Sequence, residues 1–156
     1  MKIEYVNPFI EATVSTYQMM CGLEPVRDGN LELKTEGFID NYDLIGVIGL
    51  SGSVRGAVLM TMEVKTGCDI VGSFLGEEVD GVCADLMDGF GEIINIIAGA
   101  AAAKLDGRVD LALPTVVVGK GQQIHAKHST PWVIIPMKFP NGGKFNIEIS
   151  MEEVEA

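Results

Sequence analysis

The stretch that decides the fold is VDGVCADLMDGFGEIINIIAGAAAAKLDG, residues 79–107. Its apolar residues recur at steps of three and four, which is the spacing of an amphipathic helix with one buried face. Gly107 can end such a helix, because glycine readily adopts the left-handed conformation found after helix ends. The pattern therefore predicts one long helix over residues 79–107. Its predicted core face comprises Cys83, Leu86, Met87, Phe90, Ile93, Ile94, Ile97, Ala98 and Ala101.

A second line of residues follows the same helix on the side away from the core. Steps of three and four join its members, so at about 100° per residue they stay on one narrow face. This line is acidic in its first half and small in its second, and it comprises Asp85, Asp88, Glu92, Asn95, Gly99 and Ala103. Asn and Gly lower helix stability by up to about 0.7 and about 1 kcal/mol relative to Ala, so their presence calls for a reason. Ile96 lies near this line although it is apolar.

Glu92 and Asn95 form a pair at the centre of this polar face. Residues three apart on a helix have Cβ atoms about 5–6 Å from one another. One straight helix cannot surround Mg²⁺ or Ca²⁺, which take about six or more oxygen ligands, so a metal site is not predicted. A pair of carboxyl groups working as acid and base would require a cleft, and a convex helix face offers none. Ordinary solvation and action on the surface of another protein both fit the pair.

The remaining segments predict two further helices and several strands. Residues 8–21 have helical apolar spacing, with Asn7 as N-cap, Pro8 at the first helical position and Gly22 as the stop. A short helix is expected over residues 65–76, where Gly76 ends it.

Strands are expected on both sides of the long helix. Residues 42–63 read as a hairpin that turns at 51–53, preceded by the strand-like residues 30–38. Glycines at 46, 49 and 56 within that hairpin predict bulges or the close approach of another element. After the helix come a strand, a glycine turn and a strand over residues 113–126, and then a hairpin over residues 131–151, which turns at Asn141-Gly142.

Each half of the chain therefore gives a helix, an extended segment and a hairpin with glycine at its turn. This order predicts an internal duplication in a single domain, residues 1–156. The fold class is α+β (mixed α/β), with long helices on a largely antiparallel sheet and two similar halves. The first helix lacks the polar pair, because Glu11 is followed three residues later by Val14 rather than by Asn.

Composition narrows the class of protein. Hydrophobic residues make up 47%, enough for a core, and the net charge of −11 argues against binding to nucleic acid.

Cys21, Cys68 and Cys83 lack the spacing of a disulfide frame or zinc site and are expected to be free thiols in a reducing compartment. No signal peptide and no membrane span are predicted, so a cytoplasmic location is expected. His125 and His128 are expected at the surface.

Several segments resemble the CheC/CheX/FliY phosphatases of bacterial chemotaxis, and CheX-like members in particular. GEIINIIAG, residues 91–99, matches the family pattern Glu-x-x-Asn followed by Gly. LPTVVVGKG, residues 113–121, resembles the Pro-Thr-Val-Val segment and the glycine turn after it. CGLEP, residues 21–25, and VIGLSGSVRGAVLM, residues 47–60, are also similar. CheC-like members tend to carry two copies of the motif and CheX-like members carry one in the second half, as here.

The resemblance implies a CheC-like fold and dephosphorylation of a phosphorylated CheY-type receiver domain. It implies that Asn95 holds a water in line with the aspartyl phosphate, while Glu92 pairs with the active-site Lys of the receiver. No cofactor of its own is implied, because Mg²⁺ belongs to the partner, and a homodimer joined at sheet edges is expected. Around the pair, Asp85 and Asp88 are expected to steer the partner, Gly99 and Ala103 to admit its loops, and Ile96 to provide an apolar contact. Plain solvation is the alternative for each of these.

Two other functions remain open on the sequence. One is a non-catalytic binding module for a receiver or for the flagellar switch, since related flagellar proteins use this type of domain for assembly. The other is a phosphatase for a receiver outside chemotaxis. An intact Glu92 and Asn95 pair favours an enzyme, because a scaffold has no need of Asn at position 95.

Overall fold

The computed structural model describes residues 3–154, which form three helices and ten strands. The helices are α1 (Ile3–Cys21), α2 (Val64–Leu75) and α3 (Ala84–Ala103). The strands are β1 (Val26–Arg27), β2 (Glu32–Lys34), β3 (Gly37–Asp40), β4 (Leu44–Gly52), β5 (Val54–Met62), β6 (Val109–Leu111), β7 (Thr115–Val118), β8 (Gln123–Ala126), β9 (Trp132–Lys138) and β10 (Lys144–Glu153).

The strand order carries the signature of a duplicated fold. The large sheet is antiparallel, in the order β1-β9-β10-β5-β4-β6, with β2 also paired to β9 and β7 to β4. A separate two-stranded sheet joins β3 to β8. Exchanging β1 with β6, β2 with β7, β4 with β9 and β5 with β10 returns the same order, read from the other edge. The prediction of an α+β fold with two similar halves is confirmed, and the halves meet where β5 pairs with β10.

The core lies between the helices and one face of the large sheet. α3 packs against α1 and α2 and lies across β4. The largest side chains that this core buries completely include Phe9, Tyr17, Leu44, Ile48, Met62, Phe90, Ile93 and Phe145. By length and composition alone α3 would also suit a membrane span, but half of it is buried inside the fold.

Helix α1 begins earlier than the sequence pattern predicted. It starts at Ile3 among the described residues, so Asn7 is not its N-cap and Pro8 lies inside the helix. Proline removes a helical hydrogen bond and normally opposes this arrangement. Tyr5 and Val6 are each 3% exposed, and burying their side chains offsets the local cost. The predicted stop is confirmed, because Gly22 has φ of +68° and the Leu23 amide donates to the Tyr17 carbonyl.

Helix α3 is shorter than residues 79–107. Gly81 has φ of +72°, so the chain before Ala84 is not helical, and the last turn tightens as the Lys104 amide donates to the Ala101 carbonyl. Cys83 was expected in the core, but it is exposed because it precedes the first helical residue. Met87 is partly buried, and the other predicted core residues of this helix are buried.

Gly46 explains how α3 comes so close to the sheet. A Cβ atom at this position would lie 1.8 Å from Cδ1 of Ile94 and 3.2 Å from Cε2 of Phe90. The glycine therefore leaves room for these two core side chains to rest on β4 in the positions that they have. The predicted close approach at this glycine is confirmed.

Glu148 has a buried carboxyl group on the sheet face opposite the helices. Its neighbours Ile147 and Ile149 point into the helical core, and successive strand residues point to opposite faces. The side chain is completely buried, and burial raises its pKa from 4.5 to about 8. Its partner is the Asn41 amide, which in the orientation that satisfies both groups donates to Oε1 and Oε2 at 2.7 and 2.8 Å. A neutral amide offsets only part of the cost of burying a charge.

This burial predicts an unusual pH dependence of stability. Between about pH 4.5 and about pH 8 the unfolded chain has released the Glu148 proton while the folded protein still holds it. The free energy of unfolding should therefore fall as the pH rises through this window. Glu148→Gln removes this titration. The free energy of unfolding of the variant, relative to that of wild type, should therefore be higher at pH 8 than at pH 4.5 by on the order of 2–4 kcal/mol. Urea unfolding of both proteins across the window measures the difference, and a gap that stays constant with pH would contradict the assignment.

Candidate functional site

Glu92 and Asn95 lie on the solvent side of α3 and both are exposed. The helix beneath them is held firmly, because Ile93, Ile94 and Ile97 on its other side are at most 4% exposed. The two polar side chains therefore project from a helix whose other side is packed into the core. This arrangement matches the two faces predicted from the sequence.

Neither polar side chain is engaged by the rest of the protein. Within residues 3–154, the Glu92 carboxylate and the Asn95 amide have no hydrogen bond or ion pair. By contrast, the exposed Glu11 carboxylate on α1 pairs with Lys104, with 2.7 Å between Oε2 and Nζ. The hydrogen-bonding capacity of Glu92 and Asn95 thus remains available to another molecule.

The pair lies in a groove rather than on an isolated convex helix. The open groove has a volume of about 560 Å³. Its lining residues are Met87, Asp88, Gly91, Glu92 and Asn95 from α3, together with Leu113, Pro114 and Val116 from the segment that enters β7. The helix face is therefore bordered by a shallow, open groove, which does not enclose the pair as a cleft would.

Strand pairing places the second wall of the groove. β7 pairs with β4, so that Val116 lies opposite Gly46 and Thr115 opposite Val47. Gly46 also admits α3, which brings the helix and β7 side by side. A Cβ atom at Gly91 would lie 3.4 Å from Cγ2 of Val116, so even an alanine there would touch Val116, and the helix and the strand lie close together at the base of the groove.

The structure brings together only some of the residues expected to contact a partner. Asp88 lines the groove beside Glu92 and Asn95. Asp85 and Gly99 are exposed on α3 but do not line the groove, and Ile96 is partly buried. No described atom lies within 4 Å of a Cβ placed at Gly99, so the space beside it is open.

Four residues of the groove were not singled out from the sequence. They are Gly91, Leu113, Pro114 and Val116. Three of them belong to the Leu-Pro-Thr-Val-Val segment, whose similarity to the CheX-like pattern was the available signal. What could not be read locally is that β7 pairs with β4 beside α3, because this depends on contacts between distant parts of the chain.

The other candidate groups lie outside the groove. The three cysteines are free thiols, as predicted, and burial raises the pKa of Cys21 to about 11. His125 and His128 are both exposed, which confirms that prediction. In the part of the chain that the structure describes, no group of three His, Cys, Asp or Glu side chains is placed to hold a metal ion.

A family model and a curated protein that match this chain both carry the name CheX. A family model described as chemotaxis phosphatase CheX matches residues 44–138. The CheY-P phosphatase CheX of Thermotoga maritima is 28% identical over 128 residues, which cover 80% of this chain and 81% of that protein.

Two solved structures extend the similarity to almost the whole chain. The chemotaxis protein CheX of Vibrio vulnificus is 31% identical, with a TM-score of 0.84 over 96% of this chain and 99% of that one. The CheX-CheY-BeF3-Mg²⁺ complex of Borrelia burgdorferi gives 25% identity and a TM-score of 0.80, over 97% of this chain and 100% of that one.

Proposed function

This chain belongs to the CheX family of chemotaxis phosphatases, and from that membership we propose that it hydrolyses the aspartyl phosphate of a CheY-type receiver domain. The observation that carries the proposal is the state of Glu92 and Asn95. They are adjacent, exposed and unpaired within residues 3–154, and they line one groove on a rigid helix. A side chain that enters the active site of another protein needs this combination of reach and rigidity.

Asn95 is the catalytic residue in this proposal. An aspartyl phosphate hydrolyses by itself, and the receiver supplies Mg²⁺ and Lys, so the remaining need is a well-placed water. The carboxamide of Asn95 both donates and accepts hydrogen bonds and can hold that water in line with the phosphorus atom. Water-positioning Gln residues of GTPases work in the same way. An acceleration of about 100-fold corresponds to about 2.7 kcal/mol, which is within the range of good orientation.

Glu92 anchors the helix on the receiver through an ion pair with its active-site Lys. The carboxylate has no competing partner within the described chain, so pairing breaks no existing contact. The same negative charge would be repelled by a phosphoryl group, which suits Glu92 to binding the Lys and leaves Asn95 to approach the phosphate. Asp88 in the same groove adds to the attraction for a basic rim.

The remaining features of the proposal concern the cofactor, the location, the oligomeric state and the pathway. The protein has no cofactor of its own, since the chemistry requires only the Mg²⁺ of the receiver. It is cytoplasmic, and it forms a homodimer by joining sheet edges, for which β1 with β2 and β6 with β7 are the candidates. Its pathway is two-component signalling, with a chemotaxis receiver as the substrate.

The alternative is a non-catalytic protein-binding module of the same fold. Such a module would bind the receiver or the flagellar switch but would leave its phosphorylation lifetime unchanged. The groove favours the enzyme, because it presents an amide that is unpaired within residues 3–154 and that can both donate to and accept from a water molecule.

The deciding experiment mixes the protein with phosphorylated receiver domain and Mg²⁺ and follows the release of phosphate. We expect a rate well above that of spontaneous decay. A rate equal to spontaneous decay, together with tight binding of the receiver, would support the non-catalytic module. Receivers from chemotaxis and from other two-component pathways, tested in parallel, identify the substrate.

Glu92→Lys is expected to weaken binding of the receiver strongly, rather than to slow the chemical step alone. The substitution replaces an ion pair by two like charges. Disrupting a close charged pair at an interface lowers the binding free energy by about 2–5 kcal/mol. The value of kcat/KM should fall by at least about 30-fold. Steady-state kinetics measures this, with Asp69→Lys, which makes the same change of charge at an exposed position of α2, as the control. An equal loss in the control would show that net charge alone is responsible.

A further inference from the structure

Leu113 is exposed in a way that the fold does not require. It is 88% exposed, the largest value among the large apolar side chains of residues 4–154, ahead of Met19 at 76%. Ala112, just before it, and Thr115, two residues after it, are both held against β4, so a polar residue at position 113 would not disturb the sheet. An isolated exposed Leu is unremarkable by itself. Its position in the groove, however, gives it a use.

The segment that carries Leu113 is held on both sides. Before it, the Ala112 amide donates to the Gly49 carbonyl at 3.0 Å, and after it Thr115 pairs with Val47. Pro114 between them has a fixed φ, which removes further freedom. Leu113 is therefore presented from a restrained backbone, and a group presented in this way loses little entropy when a partner binds it.

Leu113 faces the same open groove as the catalytic pair. Asp88, Glu92 and Asn95 lie on the α3 wall, and Leu113 lies with Pro114 on the wall that leads into β7. Because Leu113 and Asn95 line one open groove, a partner that places its phosphoaspartate over Asn95 can also contact Leu113. The groove therefore offers that partner a charged and polar wall on one side and an apolar wall on the other.

We propose that Leu113 is a docking residue for the receiver domain, seated against an apolar surface beside the phosphoaspartate. This inference rests on the proposed function, since the occupant is the phosphorylated receiver. Charge on the α3 wall attracts the receiver and sets its orientation, whereas Leu113 supplies the apolar contact that slows its release. Burying a Leu side chain that is otherwise exposed stabilises a complex by about 1.5–3 kcal/mol, which is roughly 10- to 100-fold in Kd, while charged groups act mainly on the association rate and the orientation.

The test separates docking from chemistry. The variant is Leu113→Ser, with Met19→Ser as the matched control, because Met19 is an apolar residue of similar exposure on α1 that does not line the groove. Binding is measured to a receiver loaded with beryllofluoride and Mg²⁺, which stands in for the phosphorylated state, and KM and kcat are measured with phosphorylated receiver. Leu113→Ser should raise Kd and KM by roughly 10- to 100-fold and leave kcat unchanged. Leu113→Met should restore most of the affinity, and Met19→Ser should change nothing.

The outcomes distinguish this inference from the proposed function. If wild type dephosphorylates the receiver and Leu113→Ser binds it as tightly as wild type, the docking role is wrong and the phosphatase assignment stands. If wild type shows no phosphatase activity but its affinity depends on Leu113, the enzyme assignment fails and the docking surface stands. Equal losses in Leu113→Ser and Met19→Ser would also overturn the docking role, because they would reflect a general loss of apolar surface.

Discussion

Asn95→Ala is expected to lower the phosphatase rate by about 100-fold, to near the spontaneous decay of the phosphorylated receiver. The substitution removes the amide that positions water and leaves Glu92 free to bind the receiver. The loss should therefore appear in kcat, while Kd for the beryllofluoride-loaded receiver stays within about two-fold of wild type.

The same variant should be slightly more stable than wild type. Asn95 is exposed and, within the described chain, unpaired, so no contact is lost, and Ala has the higher helix propensity by up to about 0.7 kcal/mol. The thermal midpoint should rise by about 1–3 °C. A residue that lowers stability yet is required for activity is the expected mark of a functional site.

The control for Asn95→Ala is Asn30→Ala, which removes another exposed Asn far along the chain from α3. It should retain full activity. If Asn95→Ala is as active as wild type, the catalytic assignment is wrong even if the protein remains a phosphatase. If its activity and affinity fall together, Asn95 contributes to binding rather than to the placement of water.

Gly56→Ala is expected to unfold the protein or to lower its stability by at least about 3 kcal/mol. Gly56 has φ of +152°, which side-chain-bearing residues rarely adopt, and a Cβ atom there would lie 1.8 Å from the Ser150 carbonyl oxygen. That oxygen belongs to the backbone of β10, which cannot move away without breaking its pairing with β5. The pairing joins the two halves of the fold, so the damage is central.

Thermal and urea unfolding measure the effect, and the midpoint should fall by roughly 6–12 °C if the variant still folds. The matched control is Gly99→Ala, the same change at an exposed helical position with open space around it. It should raise stability by about 1 kcal/mol. If Gly56→Ala is as stable as wild type, the strand pairing at this glycine is looser than the structure indicates.

The helix that carries the site could be predicted because its signals are local. Its spacing of apolar residues identified the buried side, and the same geometry placed Glu92 and Asn95 next to one another. Its ends were predicted less well, because Gly81 and the tightened turn at Lys104 depend on how the adjoining loops pack. The start of α1 was missed for a related reason: burial of Tyr5 and Val6 outweighs the local effect of Pro8.

The function of the groove as a docking site depends on contacts that no local pattern contains. Leu113 reads as an ordinary apolar residue before a strand until β7 is placed against β4 and beside α3. Glu148 likewise reads as an alternating polar residue of a strand, although the fold buries it completely.

By itself, the sequence determined the helices, the hairpins, the duplicated order and the adjacency of Glu92 and Asn95. These follow from interactions among residues that are near one another along the chain. Only the tertiary structure decided that the pair lies in a groove, that Leu113 stands on its far wall and that Glu148 is buried. The reason is that strand pairing and helix packing join distant segments, and the free energy of burial at those contacts outweighs local preference.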